Sequence, residues 1–359
     1  MHLRRLWLTD FRGYHEADVG FDEGFTAVVG ANGQGKTNLL EAIGYLATLG
    51  SFRGVPTDAL IRAGAERAIV RAEGEREGRQ LLLEAELSAN GRNRAQLNRQ
   101  PLRRARDLLG ALRVTVFSPD DLTLVKGSPG DRRGYLDETL VALHPRYDQA
   151  RTDLDRILRQ RGALLKAAGG RLSAEVELTL DVFDAKLVTA GEALAGARQE
   201  LVGELGPLLG AAYDRVAGRS AEVRAVYEPQ WMADGLAAAL VAARKDDLRR
   251  GVSTVGPHRD ELELVLGGMP ARTHASQGEQ RSLALALRLG AHEVVTRRTE
   301  TPPVLLLDDV FSELDPERSA ALLDSLPAGQ TVLSTAAALP EGAVPGKVLR
   351  VSEGVVTEG

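Results

Sequence analysis

The stretch that decides the fold of this chain is Gly30-Ala31-Asn32-Gly33-Gln34-Gly35-Lys36-Thr37, which matches the pattern G-x-x-x-x-G-K-[ST] at every fixed position. A short run of β-prone apolar residues, Phe25–Val29, precedes it, and an apolar sequence with helical spacing follows it from Leu39. A strand, a glycine-rich loop and a helix are the context in which this pattern binds phosphate. The alternative interpretation is a glycine turn before an ordinary core helix.

Each part of the pattern has a role in holding ATP. The glycines allow backbone N–H groups to curl around phosphate oxygens, and the helix N-terminus adds a partial positive charge. We expect Lys36 to reach the β- and γ-phosphates and the Thr37 hydroxyl to ligate Mg²⁺. The predicted nucleotide-binding residues are therefore Gly30, Ala31, Asn32, Gly33, Gln34, Gly35, Lys36 and Thr37.

A carboxylate partner for the metal follows a second apolar run. Val304–Leu307 is typical of a strand buried on both faces, and it ends at Asp308-Asp309. In open α/β sheets, ligands bind at the carboxyl ends of the strands. We expect Asp308 to hold Mg²⁺ through water, and Asp309 to orient or deprotonate the attacking water, so Asp309 and Lys36 are the predicted catalytic residues. The alternative is an acidic strand end that caps a turn.

A further motif lies far along the chain, where Ser276-Gln277-Gly278-Glu279-Gln280 resembles the signature loop of ABC-type ATPases. In that family the loop caps the γ-phosphate of a nucleotide that another subunit holds. The resemblance implies that Ser276 and Gly278 contact the nucleotide of a partner copy, and that the chain forms an ATP-dependent homodimer.

Composition narrows the class of protein. With 359 residues, 43% of them hydrophobic, the chain can bury a large core and is expected to form two lobes. It has no cysteine, which excludes disulfides, thiolate metal sites and a cysteine nucleophile. The six histidines show no metal-ligand spacing, so we expect no transition metal held by the protein. No signal peptide and no apolar run of membrane length are found, which predicts a cytoplasmic protein without a membrane partner.

Charge is unevenly distributed along the chain. The net charge of −5 argues against general binding to polyanions, but local clusters matter more than the sum. The first basic cluster has no intervening acid and consists of Arg92, Arg94, Arg99, Arg103, Arg104 and Arg106. A second cluster, between residues 146 and 166, alternates with aspartates that can pair with it. Each cluster is either a DNA contact or a solvated face.

The order of patterns predicts a fold that is split in sequence. Alternating residues on both sides of Asn90-Gly91 indicate a β-hairpin, whereas residues 128–250 show helical stripes and no strand pattern. Gly169-Gly170 separates two helices, and Gly206-Pro207 is expected to break or kink the second. We predict an α/β ATPase head of the ABC type, with a mixed sheet that has an antiparallel portion. Its N-terminal half spans 1–127, an inserted helical lobe spans 128–250, and its C-terminal half spans 251–359.

Several further blocks resemble the RecF family of bacterial recombination mediators. They run in the same order along the whole chain: Leu8–Tyr14, Gly33–Ala42, Gly50–Arg53, Phe117–Leu122, Gly256–Asp260, Ser276–Arg281 and Leu307–Asp315. The phosphate loop and the signature indicate the superfamily, which includes the heads of structural-maintenance-of-chromosomes (SMC) and Rad50-type ATPases. The blocks Ser118–Leu122 and Gly256–Asp260 indicate RecF.

The resemblance implies a specific activity. RecF-like proteins bind ATP and Mg²⁺, dimerise head to head, associate with DNA without sequence preference, as duplex or at single-strand/duplex junctions, and hydrolyse ATP slowly. With RecO and RecR as partners they help to load RecA at gaps, which implies a cytoplasmic protein associated with the nucleoid. Carried over by motif, Asp315 closes a loop that communicates across the dimer, and Arg12 lies where related heads touch the nucleotide.

Three departures from the usual ABC pattern suggest slow turnover. Asp309 stands where a longer glutamate is common, Ser334-Thr335 replaces a switch histidine, and Ser118–Asp121 stands in for a glutamine loop. Two other classes remain as alternatives. A chromosome-structural protein of the SMC type would need a coiled-coil arm longer than this insert, and the helical insert also argues against a transporter nucleotide-binding subunit.

Overall fold

A computed structural model describes residues 1–359, apart from the side chain of Glu313. The chain forms two compact units. The first contains Met1–Leu122, Leu208–Ala221 and Ser276–Gly359, and the second contains Thr123–Pro207 and Glu222–Ala275. The division expected from the sequence, 1–127, 128–250 and 251–359, stays a proposal for the domain organisation.

The elements follow one another along the chain as follows. The strands are β1 (His2–Phe11), β2 (Tyr14–Gly20), β3 (Phe25–Val29), β4 (Arg67–Arg76), β5 (Arg79–Ser88), β6 (Arg94–Leu97), β7 (Gln100–Pro101), β8 (Val114–Phe117), β9 (Val223–Val226), β10 (Glu263–Leu266), β11 (Met269–Pro270), β12 (Val304–Asp308), β13 (Thr331–Thr335), β14 (Lys347–Ser352) and β15 (Val355–Glu358). The α-helices are α1 (Lys36–Thr48), α2 (Thr123–Lys126), α3 (Pro129–Leu143), α4 (Arg146–Ala168), α5 (Ala174–Ala217), α6 (Leu236–Arg250), α7 (Ala271–His274), α8 (Gln277–Thr299) and α9 (Pro316–Asp324). No helix among the described residues has both the length and the apolar character needed to cross a membrane.

The first unit contains two six-stranded sheets. One has the order β2-β1-β4-β5-β6-β7 and is antiparallel, and its β5–β6 hairpin pairs Ala85 with Ala95, which confirms the hairpin predicted around Asn90-Gly91. The other has the order β15-β14-β3-β13-β12-β8, in which every pair except β14–β15 is parallel. Helix α1 packs against strands of both sheets, and its Leu39, Leu40 and Ile43 are fully buried.

The parallel sheet explains where a ligand site can form. Strand β13 lies between β3 and β12 and is parallel to both, so the carboxyl ends of the three strands lie at one edge. The phosphate loop leaves β3 at this edge, and β12, with all five residues buried, ends here at Asp308. Ligands of open α/β sheets bind at such an edge, outside the carboxyl ends of the strands.

The second unit is mainly helical. The predicted stripes are confirmed, because Leu154, Ile157 and Leu165 are buried on α4, and Leu180 and Leu187 are buried on α5. Helix α4 ends before Gly169, which has a left-handed conformation at φ 54°, as the predicted separation of two helices requires.

Of the break or kink predicted at Gly206-Pro207, the break does not occur, because α5 continues through Pro207 to Ala217. A proline inside a helix removes one backbone hydrogen bond and costs about 3 kcal/mol. Leu205 and Leu209 on either side of it are fully buried. Burial of two leucines contributes roughly 3–6 kcal/mol, which offsets the cost of the proline.

Strand β9 lies in a region that was expected to contain no strand. It is only four residues long, too short for its alternation to be recognised in the sequence, and it pairs antiparallel with β10, with Ala225 opposite Leu264. The three-stranded sheet β11-β10-β9 belongs to the second unit.

Candidate nucleotide-binding site

The phosphate loop connects β3 to α1, and two of its glycines are required by its geometry. Gly35 has φ 114°, a conformation that residues with a Cβ rarely adopt, and its carbonyl accepts a hydrogen bond from the Tyr14 hydroxyl at 2.9 Å. A Cβ at Gly30 would lie 2.3 Å from the carbonyl oxygen of Val351. The shape of the loop therefore depends on glycine at both of its ends.

Lys36 closes the loop from its helical side. Its Nζ donates a hydrogen bond to the carbonyl oxygen of Ala31 at 2.9 Å, so the side chain spans the loop. Burial lowers the pKa of Lys36, and the negative charges of Asp309 and Asp308 act in the opposite direction. Gln34 is held from outside the loop, because its Oε1 accepts a hydrogen bond from the backbone N–H of Glu353 at 2.6 Å. The lysine thus lies between the loop and two carboxylates, where it can neutralise phosphate oxygens.

Thr37 and Asp308 meet although 271 positions separate them. The Thr37 hydroxyl donates a hydrogen bond to Oδ1 of Asp308 at 2.9 Å, and the Ser334 hydroxyl donates to the same oxygen at 2.6 Å. Burial raises the pKa of Asp308, while the hydrogen bonds from Ser334 and Thr37 lower it. The positive charge of Arg53 also lowers this pKa. The two residues predicted to hold Mg²⁺ are in direct contact.

These groups fit a magnesium ion that is held together with a nucleotide. Mg²⁺ prefers oxygen ligands, and proteins usually bind it through one or two carboxylates plus phosphates and water. The hydroxyl of Thr37 and the carboxylate of Asp308 are ligands of this kind. Within the described part of the chain, no group of three or more histidines and acids is arranged to hold a metal. The phosphates of a nucleotide would supply the remaining ligands.

Asp309 lies directly after β12 in a left-handed conformation, with φ 49°. Its backbone N–H donates to the carbonyl oxygen of Ser334 at 3.1 Å and contacts the Ser334 hydroxyl at 3.2 Å. Its Oδ1 is buried and has no hydrogen-bond partner among the described residues. Buried polar atoms are normally hydrogen-bonded, so this oxygen has a free acceptor site for a water molecule. This placement fits the role predicted for Asp309 in orienting the attacking water.

Arg12 is engaged with α1. Its Nε and Nη2 donate to the buried carboxylate of Glu41 at 2.8 and 2.9 Å, and its Nη1 donates to the carbonyl oxygen of Ala59 at 3.0 Å. Glu41 follows Thr37 by one helical turn. The structure therefore places Arg12 against the first helix, and its contact with nucleotide stays a prediction.

The signature residues form the N-terminus of α8. Ser276 is the N-cap: its hydroxyl accepts from the backbone N–H of Glu279 at 3.4 Å, and the Glu279 carboxylate accepts from the Ser276 N–H at 2.7 Å. The hydrogen bonds that Ser276 donates to the Glu279 carboxylate lower the pKa of Glu279, which also forms an ion pair with Arg219. The start of a helix favours negative charge, such as a phosphate. The contact of Ser276 and Gly278 with a partner's nucleotide stays a prediction.

The two regions that replace the usual switch histidine and glutamine loop have different surroundings. Ser334 touches both Asp308 and Asp309, so it belongs to the site. Asp121 instead accepts hydrogen bonds from Arg288 of α8 at 2.9 and 2.7 Å, and from the backbone N–H of Ser118 at 2.9 Å. Asp121 therefore connects the turn after β8 to α8.

The structure adds side chains to which motif analysis assigned no role. Tyr14 and Arg53 lie in the blocks that carry the family resemblance, so their importance was visible in the sequence but their contacts were not. Arg219 pairs with Glu279, and Arg318 lies against Gly278. Arg318 follows Asp315 by three residues, a spacing that predicts a contact in the first turn of a helix.

Comparison with known proteins agrees with this geometry. The RecF/RecN/SMC N terminal domain family matches residues 2–333. A protein of Streptomyces avermitilis named DNA replication and repair protein RecF is 46% identical over 374 residues and covers 99% of both chains. A protein of the same name from Frankia alni is 48% identical over 355 residues, with 94% of this chain and 93% of the relative covered.

Solved structures show the same fold. A structure described as the recombination mediator protein RecF with ATP, in the RecFOR pathway, has a TM-score of 0.91 at 27% identity and covers 100% of this chain and 97% of its own. The Smc head domain of Pyrococcus furiosus, bound to the C-terminal domain of ScpA, has a TM-score of 0.60 at 18% identity, covers 99% and 95%, and shows a shared fold. The predicted fold class, an ABC-type ATPase head with a mixed sheet and a helical lobe, is confirmed.

Proposed function

The chain belongs to the RecF family, and we propose that it is an ATP-dependent DNA-binding protein of recombinational repair. The observation that carries the proposal is the hydrogen bond between Thr37 and Asp308, because it joins the phosphate loop to the metal-binding strand in one site. Relatives of similar length along the whole chain are named DNA replication and repair proteins.

The site is suited to slow hydrolysis of ATP. Lys36 binds the β- and γ-phosphates, while Thr37 and Asp308 hold Mg²⁺, which when bound stabilises negative charge on the phosphates. Asp309 orients a water for attack through its unpartnered Oδ1. Aspartate reaches less far than the glutamate common at this position, and Ser334 cannot replace the proton chemistry of a histidine at neutral pH. We therefore expect a switch with low turnover.

Each copy carries two half-sites that one copy cannot join. The phosphate loop holds a nucleotide, and the N-terminus of α8, with Ser276 and Gly278, caps the γ-phosphate of a nucleotide on a second copy. ATP thereby holds two copies together, Asp315 communicates between them, and hydrolysis releases them. In such a homodimer, the slow rate of hydrolysis sets how long the two copies stay together.

DNA is the proposed macromolecular ligand. Five arginines of the first basic cluster are exposed, and β6 and the segments around it carry them: Arg92, Arg94, Arg99, Arg103 and Arg104. Dimerisation would place two such clusters on one assembly, and binding through phosphates would be independent of sequence. Solved relatives are assigned to the RecFOR pathway, which supports RecO and RecR as partners in loading RecA, at gaps or junctions in nucleoid DNA of the cytoplasm.

Sedimentation with and without ATP and duplex DNA tests this function. We expect a monomer without nucleotide, a dimer with Mg²⁺ and ATP, and co-sedimentation of DNA with the dimer. Ser276→Arg should block dimerisation while changing the affinity of the monomer for ATP by less than tenfold, about 1.4 kcal/mol. A monomer in saturating ATP, or a larger loss of monomer affinity in the variant, would refute the shared site.

A further inference from the structure

An arginine side chain lies directly on the signature glycine. A Cβ built on Gly278 would be 2.8 Å from Nη2 of Arg318 and 3.0 Å from its Cζ and Nη1. Gly278 is the second residue of α8, and the three atoms nearest to that Cβ all belong to Arg318. In this conformation the guanidinium of Arg318 therefore occupies the space that a Cβ at Gly278 would fill, and a side chain there would push it aside.

Asp315 contacts both the backbone and the guanidinium of Arg318. The Asp315 carboxylate caps α9 by accepting a hydrogen bond from the backbone N–H of Arg318 at 2.8 Å, and it also pairs with Nη1 of the same residue. Since one carboxylate fixes the backbone and the head group, the guanidinium is positioned before any ligand arrives. Asp315, which lies seven residues after the end of β12, is thus linked to the signature loop through the side chain of Arg318.

The guanidinium has a donor that the fold leaves unused. A guanidinium carries five N–H donors. The Arg318 Nε is buried and has no hydrogen-bond partner among the described residues, while Nη1 is the atom that pairs with Asp315. The side chain is 30% exposed, so part of the head group reaches solvent. The exposed part of this cation, beside the N-terminus of α8, is a place where an anion can bind.

The charged side chains around Gly278 are paired with one another. Glu279 is paired with Arg219 and capped onto Ser276, while Asp315 takes one edge of Arg318. The acidic and basic groups in these pairs balance one another, and the positive end of the helix remains. Because the carboxylates of Glu279 and Asp315 are each paired with an arginine, they do not repel a phosphate that approaches Gly278 as unpaired acids would.

We propose that Arg318 contacts the γ-phosphate of the nucleotide bound to a second copy, and that Gly278 provides the clearance for its guanidinium. This inference rests on the proposed ATP-dependent dimer and assigns one residue of its capping surface. Guanidinium and phosphate match in geometry and form charge-assisted bidentate hydrogen bonds. A nucleoside diphosphate lacks the group that Arg318 would bind, so the same residue favours ATP over ADP in the dimer.

The test uses two copies that can form only one complete site. A copy with Ser276→Arg holds ATP but cannot cap, and a copy with Lys36→Met caps but cannot hold ATP. Neither associates with itself, so association of the labelled pair in Mg²⁺ and ATP reports a single composite site. Arg318→Gln is then introduced into either the capping copy or the holding copy, and each dissociation constant is measured by fluorescence transfer.

A contact across the dimer predicts unequal effects of the two placements. In the capping copy, Arg318→Gln should weaken association at least tenfold, about 1.4 kcal/mol, and Arg318→Lys should recover part of the loss. In the holding copy, the same substitution should change association less than twofold. Arg249→Gln is the matched control, because Arg249 has the same spacing from Asp246 in an exposed pair on α6.

Gly278→Ala in the capping copy provides a second perturbation of the same contact. Its Cβ would displace the guanidinium, so part of its effect should run through Arg318, and Gly278→Ala should cost less when Arg318→Gln is already present than when it is made alone. Additive losses, or equal effects of Arg318→Gln in both copies, would overturn the assignment. If the starting pair itself fails to associate in ATP, the shared site is wrong, and the role of Arg318 falls with it.

Discussion

Asp308→Asn separates the fold of the site from its ability to bind metal. In the protein, Oδ1 of Asp308 accepts hydrogen bonds from the hydroxyls of Thr37 and Ser334, and an asparagine oxygen can accept the same two. Burial raises the pKa of Asp308, so the free energy of unfolding falls as the pH rises from the ordinary pKa of an aspartate, about 3.9, to the raised value, and it stays lower at neutral pH. We therefore expect the unliganded variant to be at least as stable as the wild type at neutral pH.

Nucleotide binding should respond in the opposite direction. Interactions with a charged partner contribute about 1.5–3 kcal/mol, so loss of the charge should weaken Mg²⁺-dependent binding roughly 10- to 150-fold. At a ligand concentration of about 100 times the wild-type Kd, binding stabilises the protein by about 2.7 kcal/mol. For a variant that binds about a hundredfold more weakly, the same concentration contributes only about 0.4 kcal/mol.

Calorimetric titration with Mg²⁺ and a non-hydrolysable ATP analogue, together with thermal unfolding, measures both effects. Asp309→Asn is the matched control, because it makes the same charge change one residue away. It should preserve binding and slow hydrolysis by about 10²–10⁴-fold, the range for loss of a positioned base, and so trap the dimer. Wild-type affinity in Asp308→Asn, or the same phenotype in both variants, would refute the separate roles.

Other parts of the chain give further predictions. Lys36→Met should abolish both ATP binding and ATP-dependent dimerisation, as measured by nucleotide titration and sedimentation. Replacing Arg94, Arg99 and Arg103 with alanine should weaken duplex binding and flatten the slope of log K against log salt by about 0.9 for each phosphate that is no longer neutralised. Burial lowers the pKa of His292 to about 4. In the unfolded chain the pKa of this histidine is about 6.5, so below that pH protons bind the unfolded chain more tightly and favour unfolding. Wild-type stability should therefore fall between pH 7 and pH 5, and His292→Gln should remove about 2 kcal/mol of that fall, as measured by urea unfolding.

Each of these predictions has a control. For DNA binding it is Arg151 and Arg156 to alanine, since these arginines are paired with aspartates on α4, and an equal change of slope would show that the first cluster has no special role. For Lys36→Met, dimerisation at wild-type ATP concentrations would contradict the assigned loop. An unchanged pH dependence in His292→Gln would show that His292 does not titrate as its buried position requires.

The sequence alone determined the elements whose signals are local. Phe25–Val29 was predicted as a strand and is β3 with the same bounds, and the predicted strand Val304–Leu307 is β12, which is one residue longer. A short apolar run next to turn residues is a strong local signal. The phosphate loop was recognised because its glycines and Lys36 lie within one short stretch of successive residues. Resemblance then extended the prediction to the whole head, and the comparisons confirmed it.

The tertiary structure decided whatever depends on which elements become neighbours. Thr37 meets Asp308 because β13 pairs in parallel with both β3 and β12, and a strand order of this kind cannot be derived from local periodicity. The burial of Leu205 and Leu209 likewise lets α5 continue through a proline that its sequence alone would place at a break. The contact between Arg318 and Gly278 is a third example, since only the folded chain brings the first turn of α9 against the start of α8.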